Sequence, residues 1–329
     1  KLIDTNNVST QVIGNLYFIN GKKLQRQYRD YLSEFKNWKH LKNASSWLVY
    51  PENIGKQLSI DEVALSQGEL YTVVTNKKAK GRSGSIVAII AGTKSSEVIK
   101  YLQNIPESKR RAVEEITLDM AGSMKLIAKT AFPMATQVID RFHVQQLATE
   151  AVQDIRIKYR WEAIDKENLD IKHARDNRFT YKPALFSNGD SRKQLLARSR
   201  LFLYKDLNKW TASQKVRANI LFNEYPKIKE AYLLSNELRN IYNTHKGKNI
   251  AMTKLAQWYN AVEKSGFKSF RIVMNTISLN YREILNYFDN RSTNASAESF
   301  NAKIKAFRMQ LRGVRSKAFF LFRLTQIYA

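Results

Sequence analysis

Two short apolar runs, each ending in an aspartate and each followed by a helical pattern, constrain this chain more than any other feature. The first runs from Val113 to Asp119 and the second from Thr136 to Asp140. A helix is predicted between them, from Gly122 to Ala131, and a long one after them, from about Arg141 to Arg160. Strands alternating with helices imply right-handed crossovers and parallel pairing. An aspartate at the carboxyl end of such a strand stands where open α/β sheets place their ligands.

Upstream, Gln57 to Leu65, Leu70 to Thr75 and Ser85 to Ala91 read as strands. They are separated by the turn signals Ser66-Gln-Gly68 and Lys80-Gly-Arg-Ser-Gly84, which predicts an antiparallel meander. Three antiparallel strands followed by two parallel ones predict an α/β fold. The sheet would be mixed and five-stranded with flanking helices, in the order of ribonuclease H-like domains. From about Ile164 to Asn290 strand signals fade and helical periodicity takes over, as in an all-helical insertion. A last helix, about Asn294 to Leu311, would return to the sheet. The expected divisions are a basic N-terminal region at 1–57, a candidate for DNA binding, and the first part of the core at 58–163. The insertion would span 164–290, and the final core helices 291–329.

The charge balance narrows the partner. The 329 residues hold 55 Lys and Arg against 29 Asp and Glu, a formal charge of +26. A surplus this large, spread along the chain, implies a polyanion, because neutralising phosphates releases counterions. Cysteine is absent, which excludes disulfides and cysteine-type zinc sites within this chain. His40, His143, His173 and His245 are too dispersed to form a zinc site by spacing. The longest apolar run, Ile86 to Ala91, is too short to span a bilayer, and the first residues do not read as a signal peptide. A soluble, cytoplasmic protein without membrane contact is expected. The chain begins without methionine, so an N-terminal piece is expected to be missing.

In so basic a chain the acids on strand ends call for a reason. Asp61, in Ser59-Ile-Asp-Glu-Val63, shares one strand face with Ser59 and Val63, while Ile60 and Glu62 share the other. A carboxylate among apolar neighbours is costly unless paired or coordinated. Asp61 or Asp119 alone would more often be a cap or a salt-bridge partner; together, on neighbouring strands, they favour a site. Glu298 belongs to a predicted helix with a polar stripe through Asn294 and Asn301 that turns basic at Lys305, Arg308 and Arg312. Ala297, Phe300, Ile304, Phe307 and Leu311 form its packing face. Read alone it is an ordinary amphipathic helix. Read with the aspartates, three carboxylates suit two Mg²⁺ (or Mn²⁺) ions and phosphodiester chemistry, since hard cations take oxygen ligands. Asp140 either caps the next helix or takes part in catalysis. His143 would orient a carboxylate or contact a scissile phosphate.

Asp119-Met120, then Phe132-Pro-Met-Ala-Thr-Gln-Val-Ile-Asp-Arg-Phe-His143, then Thr293-Asn-Ala-Ser-Ala-Glu298-Ser-Phe-Asn301-Ala-Lys-Ile-Lys305 resemble the DDE transposases of bacterial insertion sequences, specifically the ISL-three group. The likeness runs from about Ile60 to the C-terminus. It implies a ribonuclease H-like fold with a helical insertion before the third acid. It also implies a catalytic, metal-binding triad at Asp61, Asp119 and Glu298, with Asp119 preferred to Asp140 as the second ligand. Asp140 and His143 resemble an accessory catalytic motif of related transposases. The resemblance further implies cleavage at transposon ends by water and attack of the freed 3′-hydroxyl on target DNA. The partners would be double-stranded DNA, both terminal inverted repeats and target, and at least one further copy of the chain. The location would be the nucleoid of a bacterial cytoplasm. Lys303, Lys305, Arg308, Arg312 and Asn301 would contact DNA. Trp258, like Trp210 and Trp161, would either stack on a flipped base or pack in the core. Family members commonly carry an N-terminal cysteine-rich zinc motif and helix-turn-helix segments, and no such zinc motif is found in these residues. The competing readings are a non-catalytic DNA-binding protein of transposase descent and a ribonuclease H-like nuclease or resolvase.

Overall fold

The computed structural model describes residues 1–66, 68–311 and 316–329. Six strands form one mixed sheet: β1 (Trp47–Val49), β2 (Gln57–Ser66), β3 (Glu69–Asn76), β4 (Ile86–Ala91), β5 (Glu115–Leu118) and β6 (Thr136–Ile139). Their spatial order is β1-β4-β3-β2-β5-β6. The first four strands pair antiparallel, and β5 joins β2, and β6 joins β5, in parallel. The meander and the two parallel strands are therefore as the sequence predicts, but the sheet has six strands, not five. β1 carries no sequence signal, because three residues cannot display a period of two. It forms only by pairing with the buried edge of β4, Trp47 opposite Ile90.

Each sheet face has its own cover. Leu58, Ile60, Ile116 and Leu118 pack beneath Val98 and Leu102 of the Ser95–Leu102 helix, and beneath Met124 and Ile127 of the Gly122–Ala131 helix. Val63, Val73 and Ile89 line the opposite face, covered by Phe300, Ile304 and Phe307 of the Ala295–Gln310 helix and by Phe320 and Leu324 of Lys317–Tyr328. The pleat of β2 thus sends Ile60 to one helix layer and Asp61, with Ser59 and Val63, to the other. Truncating Phe300 would open a cavity at this second layer, at a cost of about 3–5 kcal/mol.

The chain divides into two compact units, Lys1–Asp140 with Arg291–Ala329, and Arg141–Asn290. The first holds the whole sheet. Residues 1–57 belong to it, their short helices contributing Ile3, Ile13 and Tyr28 to a cluster with Phe319 and Phe322. The second unit is all helical and starts at Arg141, earlier than position 164. Its first helix runs unbroken over Arg141–Asp176, past Arg160, so along the chain the boundary between the units falls just after β6. No helix among the described residues is long and apolar enough to cross a membrane.

Candidate active site

The register of the parallel strands sets the site. Ser59 pairs with Thr117, and Leu118 with Ile139. Continuing each register past its last pair brings Asp61, Asp119 and Asp140 into one row, midway along β2 and at the carboxyl ends of β5 and β6. Adjacent strands stand about 4.8 Å apart. Asp61 and Asp119 are half-buried and Asp140 is buried. The Asp119 carboxylate accepts the Ala121 N–H at 2.9 Å, turning the chain toward the helix that starts at Gly122. Asp61 accepts the Glu62 N–H at 2.8 Å and the Asn301 amide at 2.6 Å.

Glu298 lies in the first turn of the Ala295–Gln310 helix, exposed, between two buried asparagines. Asn294, one turn before it, meets the hydroxyl of Ser59, and Asn301, one turn after it, holds Asp61. Residues at i, i+4 and i+7 share a helix face. The stripe that carries Glu298 is therefore docked, at both ends, on the strand that carries Asp61.

Beneath this row lies a cation that the sequence did not disclose. The Lys77 ammonium donates to Thr117 Oγ1 at 2.8 Å, to Ser292 Oγ at 2.7 Å and to Glu115 Oε1 at 3.4 Å. Ser292 also donates to Glu115. Burial pulls the lysine below its ordinary value, while Glu115 and Asp140 act in the opposite sense. The run Lys77-Lys-Ala-Lys-Gly-Arg82 reads as a solvated turn, so nothing in it marks Lys77 as buried. Ser59 and Asn294 were visible as neighbours of Asp61 and Glu298 by spacing alone. Glu62, on the other face of β2, is pushed above the usual carboxylate range by burial first, then by the negative charges of Asp119 and Asp61.

The remaining predicted residues are placed as follows. His143 sits half-buried in the first turn of the Arg141–Asp176 helix, in the second unit. Lys303 donates to the Gly81 carbonyl at 2.7 Å, and Arg308 to the Ala64 carbonyl at 3.2 Å, so the first fixes the helix to the turn between β3 and β4 and the second fixes it to β2 itself. Lys305 is exposed. Arg312 lies outside the described residues. Trp258 is fully buried, its indole N–H bonded to the Leu234 carbonyl at 2.8 Å, and its ring lies near Tyr259 and Phe270. This is core packing; an apolar ring at helical spacing is drawn inward by the area it buries. Trp210 is likewise buried, and Trp161 is exposed.

Asp, Glu and Asn offer only oxygen donors, the chemistry Mg²⁺ or Mn²⁺ takes. Burial first, and then the charges of Asp119 and Asp61, hold the Glu62 carboxyl up, and the buried Asn301 Oδ1 has no hydrogen-bond partner. The donor set fits a hard cation. Among the described residues, however, no three His, Asp or Glu side chains lie close enough together to form a metal cluster. The acids share a row and a helix face without closing into a cage.

A sheet with aspartates in one row and a glutamate on the covering helix defines a class. The family model described as "Transposase", of the DDE ISL-three type, matches residues 58–324, and the chain belongs to that family. Among curated proteins it is similar to the transposase for insertion sequence element IS1557 of Mycobacterium tuberculosis, in strains CDC 1551 / Oshkosh and ATCC 25618 / H37Rv. Each is 23% identical over 265 residues, covering 79% of this chain and 57% of the relative. The chain thus spans a little over half the length of these relatives. No solved structure matches.

Proposed function

We propose that this protein is a DNA transposase in which Asp61, Asp119 and Glu298 hold two divalent cations, Mg²⁺ or Mn²⁺, on a ribonuclease H-like sheet. The observation that carries the reading is the Asp61–Asp119 row, with the Glu298 stripe bolted over it by Asn294 and Asn301. When bound, the cations would make an attacking water or 3′-hydroxyl more acidic and stabilise the leaving oxygen. Asp61 is oriented by Asn301 and by its own neighbouring N–H, and Asp119 by the Ala121 N–H. Asp140 would shape the far end of the row. His143, three residues after Asp140 in the chain, would act as an accessory catalytic residue. Lys305 and Arg312 would contact DNA phosphates, with the element's terminal repeats and a target duplex as substrates and more than one copy of the chain on the DNA. Cleavage at the element's ends would be followed by strand transfer, in the nucleoid of a bacterial cell.

The test is an end-containing duplex incubated with Mg²⁺ or Mn²⁺, with products resolved at nucleotide level. Asp61→Asn, Asp119→Asn and Glu298→Gln should each abolish cleavage and leave DNA binding nearly intact. Full cleavage by any of the three sinks the assignment. The open spacing of the acids favours a second reading, a DNA-binding protein of transposase descent without catalysis. DNA binding with no cleaved or joined product under either metal would select it. Cleavage without strand transfer would point to a nuclease.

A further inference from the structure

The connection from β3 to β4 opens with one turn of 3₁₀ helix, Lys77–Ala79, which Asn76 caps by accepting the Lys78 N–H at 3.0 Å. Lys78 and Lys80 are exposed, whereas the Lys77 side chain turns inward and is 11% exposed. The pleat fixes its surroundings. Glu115, Thr117 and Asp119 alternate onto one face of β5 and its end. Ser59 pairs with Thr117, so Ser59 and Asp61 share the matching face of β2. An ammonium bonded to Thr117 and Glu115 therefore lies on the face of the acid row, with Thr117 about 7 Å along the strand from Asp119. A lysine offers three donors. Its third bond, to Ser292, reaches a segment 215 positions away.

Along the chain, Ser292 comes after Asn290, where the helical unit ends, and before the Ala295–Gln310 helix that carries Glu298. Arg291 has a left-handed backbone (φ 51°), which a residue with a side chain keeps only where its surroundings fix it. The Lys77 ammonium and the Glu115 carboxylate both hold the Ser292 hydroxyl. Two residues on, Asn294 meets Ser59, and the Asn294 carbonyl accepts the Glu298 N–H at 2.9 Å. The chain entering the Glu298 helix is thus fastened twice, to β5 through Lys77 and to β2 through Ser59. These are the strands that lead to Asp119 and carry Asp61. A ligand set gathered from three distant segments depends on such fixings, and losing a group that orients a ligand weakens metal binding about 10–100-fold.

We propose that Lys77 is a positioning residue: through Ser292 it pins the entry of the Glu298 helix to β5, and so sets where Glu298 stands relative to Asp61 and Asp119. The inference rests on the reading of those acids as metal ligands for its consequence, and on the hydrogen bonds alone for the clasp. Ser292→Ala cuts the link to the Glu298 segment and leaves Lys77 its bonds to Glu115 and Thr117. Thr117→Val removes a bond of the same ammonium on the β5 side and leaves the segment tied, so it controls for lost stability. Each variant of the full chain is titrated with Mn²⁺ by calorimetry without DNA, and hydrogen exchange is followed in residues 294–301. Ser292→Ala should weaken Mn²⁺ binding about 10-fold, the low end for a group that orients a ligand, and should speed exchange in that helix turn. Ser292→Thr, which keeps the hydroxyl, should restore both, and Thr117→Val should change neither. Wild-type affinity and exchange in Ser292→Ala overturn the proposal, as does equal loss in Ser292→Ala and Thr117→Val, which would make Lys77 a support of the fold alone. If wild type binds no Mn²⁺ yet Ser292→Ala still loosens residues 294–301, the metal reading of the acids falls and the clasp stands.

Discussion

Asn301 donates its side-chain amide to Asp61 across 2.6 Å, joining residues 240 positions apart. A carboxylate only accepts, so the amide must face Asp61 with its NH₂. The Asn301 Oδ1 is thereby turned away, buried and without a partner. A buried acceptor left unsatisfied costs about 1–3 kcal/mol. The arrangement therefore holds Asp61 in place and leaves an oxygen donor beside it.

Removing that amide should hurt the site more than the fold. Asn301→Ala frees the Asp61 carboxylate to rotate, and a loss of about 10–100-fold in cleavage or metal affinity is expected, as for other residues that orient a ligand. Asn301→Asp sets a second carboxylate against Asp61 and should be worse in the absence of metal. Cleavage rates titrated with Mn²⁺ check both. Rates that match wild type at every Mn²⁺ concentration would remove Asn301 from the site.

Glu62 supplies a pH prediction. Its carboxyl is held above the ordinary value by burial and by Asp119 and Asp61, so the folded state takes up a proton more readily than the unfolded chain. Stability should then fall as pH rises from the unfolded value through the folded one, with the penalty complete above it. In EDTA, Glu62→Gln should melt higher than wild type at neutral pH and no higher at pH 3. Adding Mg²⁺ or Mn²⁺ should raise the wild-type melting temperature and leave Asp61→Asn nearly unmoved. Thermal melts across pH, with and without metal, decide both points.

Much of this is legible in the amino-acid sequence. The β2 pattern, with Ile60 and Asp61 on opposite faces, followed from a period of two, and the Asp119 and Asp140 strand ends followed from strand–helix alternation. The three-residue β1 was not legible, because its pairing with β4 is a tertiary event. Nor was the burial of Lys77. A lysine in a basic turn is solvated unless a distant segment covers it, and the cover is Ser292, 215 positions on. The helix continues past Arg160 to Asp176 because no Gly or Pro interrupts it, and its mostly polar sequence there carries too little apolar periodicity to announce the extension.

That buried lysine yields a stability prediction. Lys77 and Glu115 have side chains 11% and 6% exposed. Lys77→Met removes the cation beside the buried Glu115 and takes a donor from Ser292 and Thr117, and should cost about 3–5 kcal/mol. Replacing both partners with apolar residues, Lys77→Met with Glu115→Leu, should recover most of the loss, since no charge is then left buried alone. Urea unfolding of the single and double variants measures this. A double variant as unstable as the single would show that the hydroxyl contacts dominate, not the charge pair.

In the helical unit the comparable point is Asp190, whose side chain is fully buried. It receives Arg198 on one oxygen, and on the other Arg217 at 2.8 Å and Asn188 at 2.8 Å. Burial pushes its carboxyl upward, but hydrogen bonds from Arg217 and Arg198 outweigh it and hold the group below the usual range. The stability this contributes is present above the unfolded carboxylate value and is lost as pH falls through the lower folded one. Asp190→Ala removes the shared counter-charge of Arg217 and Arg198, whose side chains are 22% and 55% exposed, so the cost should fall below the about 3–5 kcal/mol of breaking a fully buried pair. Because Asp190 lies in the unit Arg141–Asn290 and the acid row in the other, the loss should register first in the helical unit. Hydrogen exchange read segment by segment should show 192–224 deprotected in Asp190→Ala while β2 and β5 stay protected. Uniform deprotection of both units would mean that they unfold as one, and that Asp190 supports the sheet as well.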